Sequence, residues 1–177
     1  MYEDIIFNAI QFASTKHKDQ KRKVYDYPYI THPLMVFHLV SLYTDDLDVQ
    51  VAAILHDTVE DTDTTIGDIK ERFGDRVAGF VLGLSEDKSL PWPDRRMRYI
   101  EGFADASNEV LLVKTADLAC NLADMVFTKG QNPVIHKEWV TDDWKKLKIQ
   151  EIKTIKDAWS QNPLIDRVQD VYNNLVS

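Results

Sequence analysis

One cysteine, Cys120, is all that these 177 residues contain, so no disulfide forms within the chain and a reducing compartment is expected. An excess of positive charge is also missing. Twenty-one basic residues face 29 acidic ones, a formal charge of −8, which argues against the basic footprint of non-specific nucleic-acid binding. No apolar run approaches the roughly 18 residues of a transmembrane helix, and Met1-Tyr2-Glu3-Asp4 lacks the basic-then-apolar pattern of a signal peptide. There is no low-complexity linker, no internal repeat and no glycine-rich ATP-binding loop. These absences predict a soluble, cytoplasmic protein with neither membrane nor nucleic acid as partner.

What is present reads as one domain over residues 1–177. Hydrophobic residues make up 44% and charged residues 28%, ordinary values for a globular chain able to bury roughly 70% of its unfolded surface. Helical periodicity dominates. Ile5, Ile6, Ala9, Phe12 and Ala13 mark the inner face of a first helix. A basic loop from Lys16 to Tyr29 follows, with room for a short β-hairpin between Lys21 and Tyr29. Thr31-His32-Pro33 opens a second helix. Val51-Ala52-Ala53-Ile54-Leu55 is a third and runs directly into His56-Asp57-Thr58-Val59-Glu60-Asp61. If the helix continues, His56 and Glu60 share one face and Asp57 and Asp61 the next.

Thr65-Ile66-Gly67-Asp68 predicts a capped helix that Gly74 ends. Val77 to Leu84, Asp94 to about Ala104 and Val110 to about Val126 read as further helices. Lys137 to Trp159 and Leu164 to Val176 follow, joined across Asn162-Pro163. The expected fold class is an all-α helical bundle, with its motif-bearing core at about residues 5–126 and C-terminal helices at about 137–176. Trp139, Trp144 and Trp159 either complete the core or face a homo-oligomer partner.

Imidazoles and carboxylates converging from several elements suit a divalent transition metal. The chain offers such donors at three places: His32 at a helix start, His56-Asp57 after the apolar run, and Asp117 within an apolar helix. Simpler roles stay open for each. His32 can act as a cap, Asp117 can pair with Lys114 three residues before it, and the six-residue cluster can be a solvated helix end. His17, His38 and His136 lack carboxylates at ligand spacing and read as structural or surface residues.

The order His32, then His56-Asp57, then Asp117 resembles the HD superfamily of metal-dependent phosphohydrolases. More closely it resembles the hydrolase domain of the RelA/SpoT alarmone enzymes, especially the free-standing metazoan type. The matching segments are Gln20-Lys21-Arg22-Lys23, Pro28 to Pro33, Ala53 to Thr62, Phe73-Gly74, Asp87 to Pro91, and Lys114 to Asp117 with Asn121. The resemblance implies a compact HD-domain bundle in which His32, His56, Asp57 and Asp117 bind one Mn²⁺ per chain. Glu60 and Asp61 then act on the attacking water as catalytic residues. Arg22, Lys23, Lys88, Asn121 and Asp124 bind a small-molecule nucleotide.

The implied reaction removes pyrophosphate from the 3′ position of guanosine tetra- or pentaphosphate, giving GDP or GTP. Two basic clusters, Lys16 to Lys23 and Lys88 with Arg95, Arg96 and Arg98, are the available phosphate binders. Leu118 and Ala123 depart from the family pattern, which has basic residues there. That departure keeps an adenosine alarmone or the 2′-phosphate of NADPH open as substrate. A non-catalytic alarmone-binding module is the reading from another class.

Overall fold

The computed structural model describes residues 2–22, 26–131 and 138–177. Its helices are α1 (Tyr2–Lys16), α2 (Thr31–Ser41), α3 (Leu47–Leu55), α4 (Thr58–Asp61), α5 (Ile66–Phe73), α6 (Asp75–Gly83), α7 (Asp94–Gly102), α8 (Asn108–Gln131), α9 (Asp142–Ala158) and α10 (Ile165–Val176). They divide between two compact units, Met1–Glu86 and Asp87–Ser177. The fold class is all-α, as expected. The hairpin expected near Lys21 reduces, among the described residues, to one isolated antiparallel bridge between Lys21 and Pro28.

In the first unit α3 is the central element, buried from Val49 through Leu55. Ala9, Phe12 and Ala13 of α1, Ile69 of α5, and Val77, Ala78 and Val81 of α6 close around it. Each fully buried large aliphatic side chain contributes about 1.5–3 kcal/mol. The start of α3 is capped by Asp46, whose carboxylate accepts from the Asp48 amide at 3.1 Å. Arg76 of α6 holds Asp46 and Asp48 together, its Nη1 2.8 Å from a carboxylate oxygen of each. The expected capping box of α5 is present in both directions between Thr65 and Asp68. Gly74 ends that helix with φ of +91°, the left-handed region that favours glycine.

The apolar run does not continue as one helix through Asp61. Ala53 and Leu55 carbonyls near the end of α3 are taken by side chains: His56 Nδ1 donates to Ala53 at 2.8 Å and Thr58 Oγ1 to Leu55 at 2.7 Å. Such side-chain bonds compete with the helical ladder. The helix therefore stops at Leu55, and a new turn starts with the Asp61 amide bonded to the Asp57 carbonyl at 2.9 Å. The expected pairing of faces over an unbroken helix does not hold.

In the second unit Leu111, Leu118 and Leu122 of α8 pack with Ile152 and Ile155 of α9 and with Ile165, Val168 and Leu175 of α10. Trp144 and Trp159 pack against this core, the simpler of the two roles expected for them. α7 ends at Gly102 and passes into a 3₁₀ turn at Phe103–Asp105, while α8 runs longer than expected at both ends. The expected helix from Lys137 to Trp159 is interrupted: Glu138 and Trp139 are helical, and a separate helix starts at Asp142, where Thr141 caps it by accepting from the Trp144 amide at 3.2 Å. Lys137 itself lies outside the described residues. Asn162 secures the α9–α10 connection, donating to Thr115 Oγ1 at 2.8 Å and accepting from the Leu164 amide at 3.0 Å.

Candidate active site

His32 enters in the first turn of α2 and is buried, while His56 is the residue on which α3 ends. With Asp57 they form a cluster in which one ligand atom from each lies within 4.8 Å of the others. Asp57 Oδ2 stands 3.1 Å from His56 Nε2 and 3.5 Å from His32 Nε2. Ligands about 2.1 Å from one ion at right angles to each other stand about 3 Å apart, close to both separations. Nδ1 of His56 donates to a carbonyl, which leaves Nε2 as the ring nitrogen turned toward the Asp57 carboxylate. Two imidazoles and a carboxylate oxygen grouped in this way are a donor set that fits a divalent metal. The carbonyl bond to the far nitrogen is the usual way a ligating histidine is oriented.

Tyr29 has a part here that the sequence does not predict. Its single hydroxyl hydrogen is shared between Asp57 Oδ2 at 2.7 Å and, more weakly, Asp61 Oδ2 at 3.3 Å, so one group spans the two carboxylates. Burial first, then the neighbouring Asp57 and Asp61 charges, keep this phenol protonated well past its ordinary range, against the opposing pull of Arg22. Its ring lies 4.8 Å from that of His17 and 5.9 Å from that of His32. His17 Nδ1 meets Gln20 Oε1 at 2.7 Å, and Gln20 Nε2 donates to the Asp61 carbonyl at 2.5 Å. His17 is thus structural, as expected, but within the frame of the site.

Glu60 accepts from the Glu86 amide at 3.3 Å. Burial raises its pKa, the Glu86 amide opposes the shift, and the nearby Asp57, Glu86 and Asp61 carboxylates add to it. A carboxyl raised in this way takes up a proton more readily than an ordinary glutamate.

Asp117 belongs to the second unit. It lies on the polar face of α8, where Lys114 Nζ reaches Oδ2 at 2.8 Å and Asn121 Nδ2 reaches Oδ1 at 2.5 Å. The expected pairing with Lys114 is present, and Asp117 is buried to 7% exposure. Leu118 is fully buried in the apolar core and Ala123 is exposed.

The basic clusters are more committed than their sequence suggests. Lys16, Lys18 and Lys21 pair with Asp63, Asp19 and Asp26. Arg22 lies over the Tyr29 ring, 5.6 Å from its centroid. Lys23 falls outside the described residues. Arg96 is turned inward, 2.8 Å from the fully buried Glu151, while Lys88 is exposed. Asn121 and Asp124 are half-buried on α8. Glu151 had a sequence signal that passed unread: it occupies the 144, 148, 151, 155 stripe that α9 turns toward its core.

Comparison with known proteins adds a family. Residues 9–139 match the HD domain family, a span with residues in both units. A guanosine-3′,5′-bis(diphosphate) 3′-pyrophosphohydrolase of Danio rerio is 41% identical over 124 residues, which cover 68% of this chain and 69% of that protein. Its Homo sapiens counterpart is 39% identical over 123 residues, 68% and 69% of the two chains. A solved structure described as a metazoan ortholog of SpoT that hydrolyzes ppGpp superposes with a TM-score of 0.83 at 28% identity, covering 96% of this chain and 94% of that one.

Proposed function

Because the chain belongs to the HD domain family, we propose that it acts as a guanosine-3′,5′-bis(diphosphate) 3′-pyrophosphohydrolase, as its relatives are named. The observation that carries this reading is the His32–His56–Asp57 cluster, tied through one tyrosine hydroxyl to Asp61. The same chain is 41% identical to a hydrolase of that name. Leu118 lends no support to another nucleotide, since it sits in the apolar core of its unit.

His32, His56, Asp57 and, from α8, Asp117 are the proposed ligands of one Mn²⁺, an ion that mixed imidazole and carboxylate donors suit. Such an ion, when bound, lowers the pKa of a water and polarises a phosphoryl oxygen. In the reaction a water oxygen adds to the phosphorus attached to the ribose 3′ oxygen. That phosphorus–oxygen bond breaks, the 3′ oxygen takes a proton as a hydroxyl, and pyrophosphate leaves.

Glu60 is the proposed acceptor of the water's proton, because burial raises the proton affinity of its carboxylate. Asp61 is the proposed orienting carboxylate, fixed by the Tyr29 hydroxyl at one oxygen and by Gln20 at its backbone. Arg22 and Lys23 are proposed for the purine, Lys88 for phosphate, and Asn121 and Asp124 for the ribose and base. A guanidinium plane such as that of Arg22 stacks readily on an aromatic ring. A single cysteine agrees with work in the cytoplasm.

Incubation with ppGpp and Mn²⁺ should yield GDP and pyrophosphate. Glu60→Ala should abolish turnover while leaving metal binding in place. Absence of turnover by folded, metal-loaded wild-type protein refutes the assignment.

A further inference from the structure

Glu151, on α9, is 0% exposed, and among the described residues no other carboxylate is buried as fully. It lies beyond the span matched by the HD family, residues 9–139. Its Oε2 receives Arg96 Nη2 at 2.8 Å and Lys148 Nζ at 2.9 Å, and its Oε1 lies 3.2 Å from Lys114 Nζ. Burial pushes this carboxyl up, but Lys148, Lys114 and Arg96 together outweigh it and hold its pKa at about 2. Glu151 is therefore a permanent anion. Lys148 is pulled down first by burial, with Arg96 and Lys114 adding to the effect against Glu151. Three cations thus compete for one carboxylate.

Lys114 is the member of this cluster that reaches further. Its ammonium sits between Glu151 and Asp117, 2.8 Å from Asp117 Oδ2, with the Tyr99 ring 5.2 Å and the Phe103 ring 5.9 Å away. It hydrogen-bonds Asp117 and lies in ion-pair range of Glu151 Oε1, with two aromatic rings near it. On stability grounds alone such an arrangement has little to recommend it, since buried ion clusters are often no better than apolar packing of the same volume. What it does provide is a fixed placement for Asp117, clamped at one oxygen by Lys114 and at the other by Asn121.

We propose that Glu151 is a positioning residue for Asp117, the proposed metal ligand of the same unit: its charge shares Lys114 with the Asp117 carboxylate and so keeps the ammonium from claiming that carboxylate outright. This rests on the reading of Asp117 as a metal ligand. When Glu151 loses its charge, Lys114 has Asp117 as its remaining carboxylate among these contacts. The ammonium then competes directly with a divalent ion for that carboxylate. A merely stabilising role for Glu151 predicts a lower melting temperature and an unaltered metal affinity.

The test is a titration of the full chain with Mn²⁺, reading free Mn²⁺ by electron paramagnetic resonance, with circular dichroism to show that each variant is folded. Glu151→Gln should raise the Mn²⁺ Kd about tenfold or more, the scale on which outer-shell partners act. In a Lys114→Met background the same substitution should change Kd by less than about twofold, because the route runs through Lys114. If Glu151→Gln does not fold, Arg96→Met with Glu151→Gln removes one charge of each sign and should weaken Mn²⁺ binding in the same way. An unchanged Kd in a folded Glu151 variant overturns the proposal, and so does an equal loss in the Lys114→Met background. Asp117→Asn separates the two readings. If that variant binds Mn²⁺ as the wild type does, the ligand assignment is what has failed.

Discussion

Replacing Tyr29 with Phe removes one oxygen and leaves the ring contacts with His17 and His32 in place. The lost bonds are the 2.7 Å donation to Asp57 Oδ2 and the 3.3 Å donation to Asp61 Oδ2. A hydrogen bond to a charged group contributes about 1.5–3 kcal/mol. Only the shorter of the two is close enough to count in full, and about 1.4 kcal/mol is tenfold in a binding constant. Because the bond is already made without the ion, only the part that strengthens on metal binding appears in the affinity, and the Mn²⁺ Kd should rise on the scale of outer-shell partners of this kind, about 10- to 100-fold. Turnover at saturating Mn²⁺ should also fall, because Asp61 loses the same donor. The assay is a Mn²⁺ titration followed by steady-state hydrolysis of ppGpp at several metal concentrations. If Tyr29→Phe binds Mn²⁺ as tightly as the wild type, the hydroxyl does not orient the ligand carboxylate and the account of the site is wrong at that point.

Acid sensitivity follows from Glu151, whose pKa is depressed from 4.5 to about 2 in the folded chain. Its stabilisation is present above the unfolded pKa and drains away as pH falls toward the folded one. Between roughly pH 7 and about pH 3.5, wild type should lose about 1.4 kcal/mol more stability than Glu151→Gln in urea titrations, and parallel curves would contradict this. Thr65→Ala breaks the capping box of α5 and should cost about 1 kcal/mol, measured by thermal unfolding, with ppGpp hydrolysis unaltered. Ile54→Ala, at a fully buried position of α3, should cost about 2–5 kcal/mol in urea unfolding.

The helices were legible wherever periodicity and caps agree: the inner face of α1, the Thr65–Asp68 box, the Gly74 stop and the buried α3 all stand as expected. The end of α3 was not, because helix propensity says nothing of side chains that seize the last carbonyls. His56 and Thr58 do so here, and the helix is interrupted at His56 and Asp57 before it resumes at Thr58. The grouping of His32, His56 and Asp57 was legible from residue order, but not the hydroxyl that spans Asp57 and Asp61. Tyr29 sits 28 residues from one of these and 32 from the other. Charge counting misled in one respect. Arg96 belongs by sequence to a basic patch, and the structure commits it to a buried carboxylate 55 residues away.

α3 is secured at both extremities, by Arg76 across Asp46 and Asp48 where it begins and by the His56 and Thr58 side chains where it stops. At nine residues it is a strut about 13 Å long. A strut pinned at both ends and walled in by core side chains cannot slide or turn to follow a ligand. His56 and Asp57 are in that sense machined parts, whose tolerance is set at the far end by a surface arginine. Damage at Arg76 would then reach His56 and Asp57 as a loss of alignment.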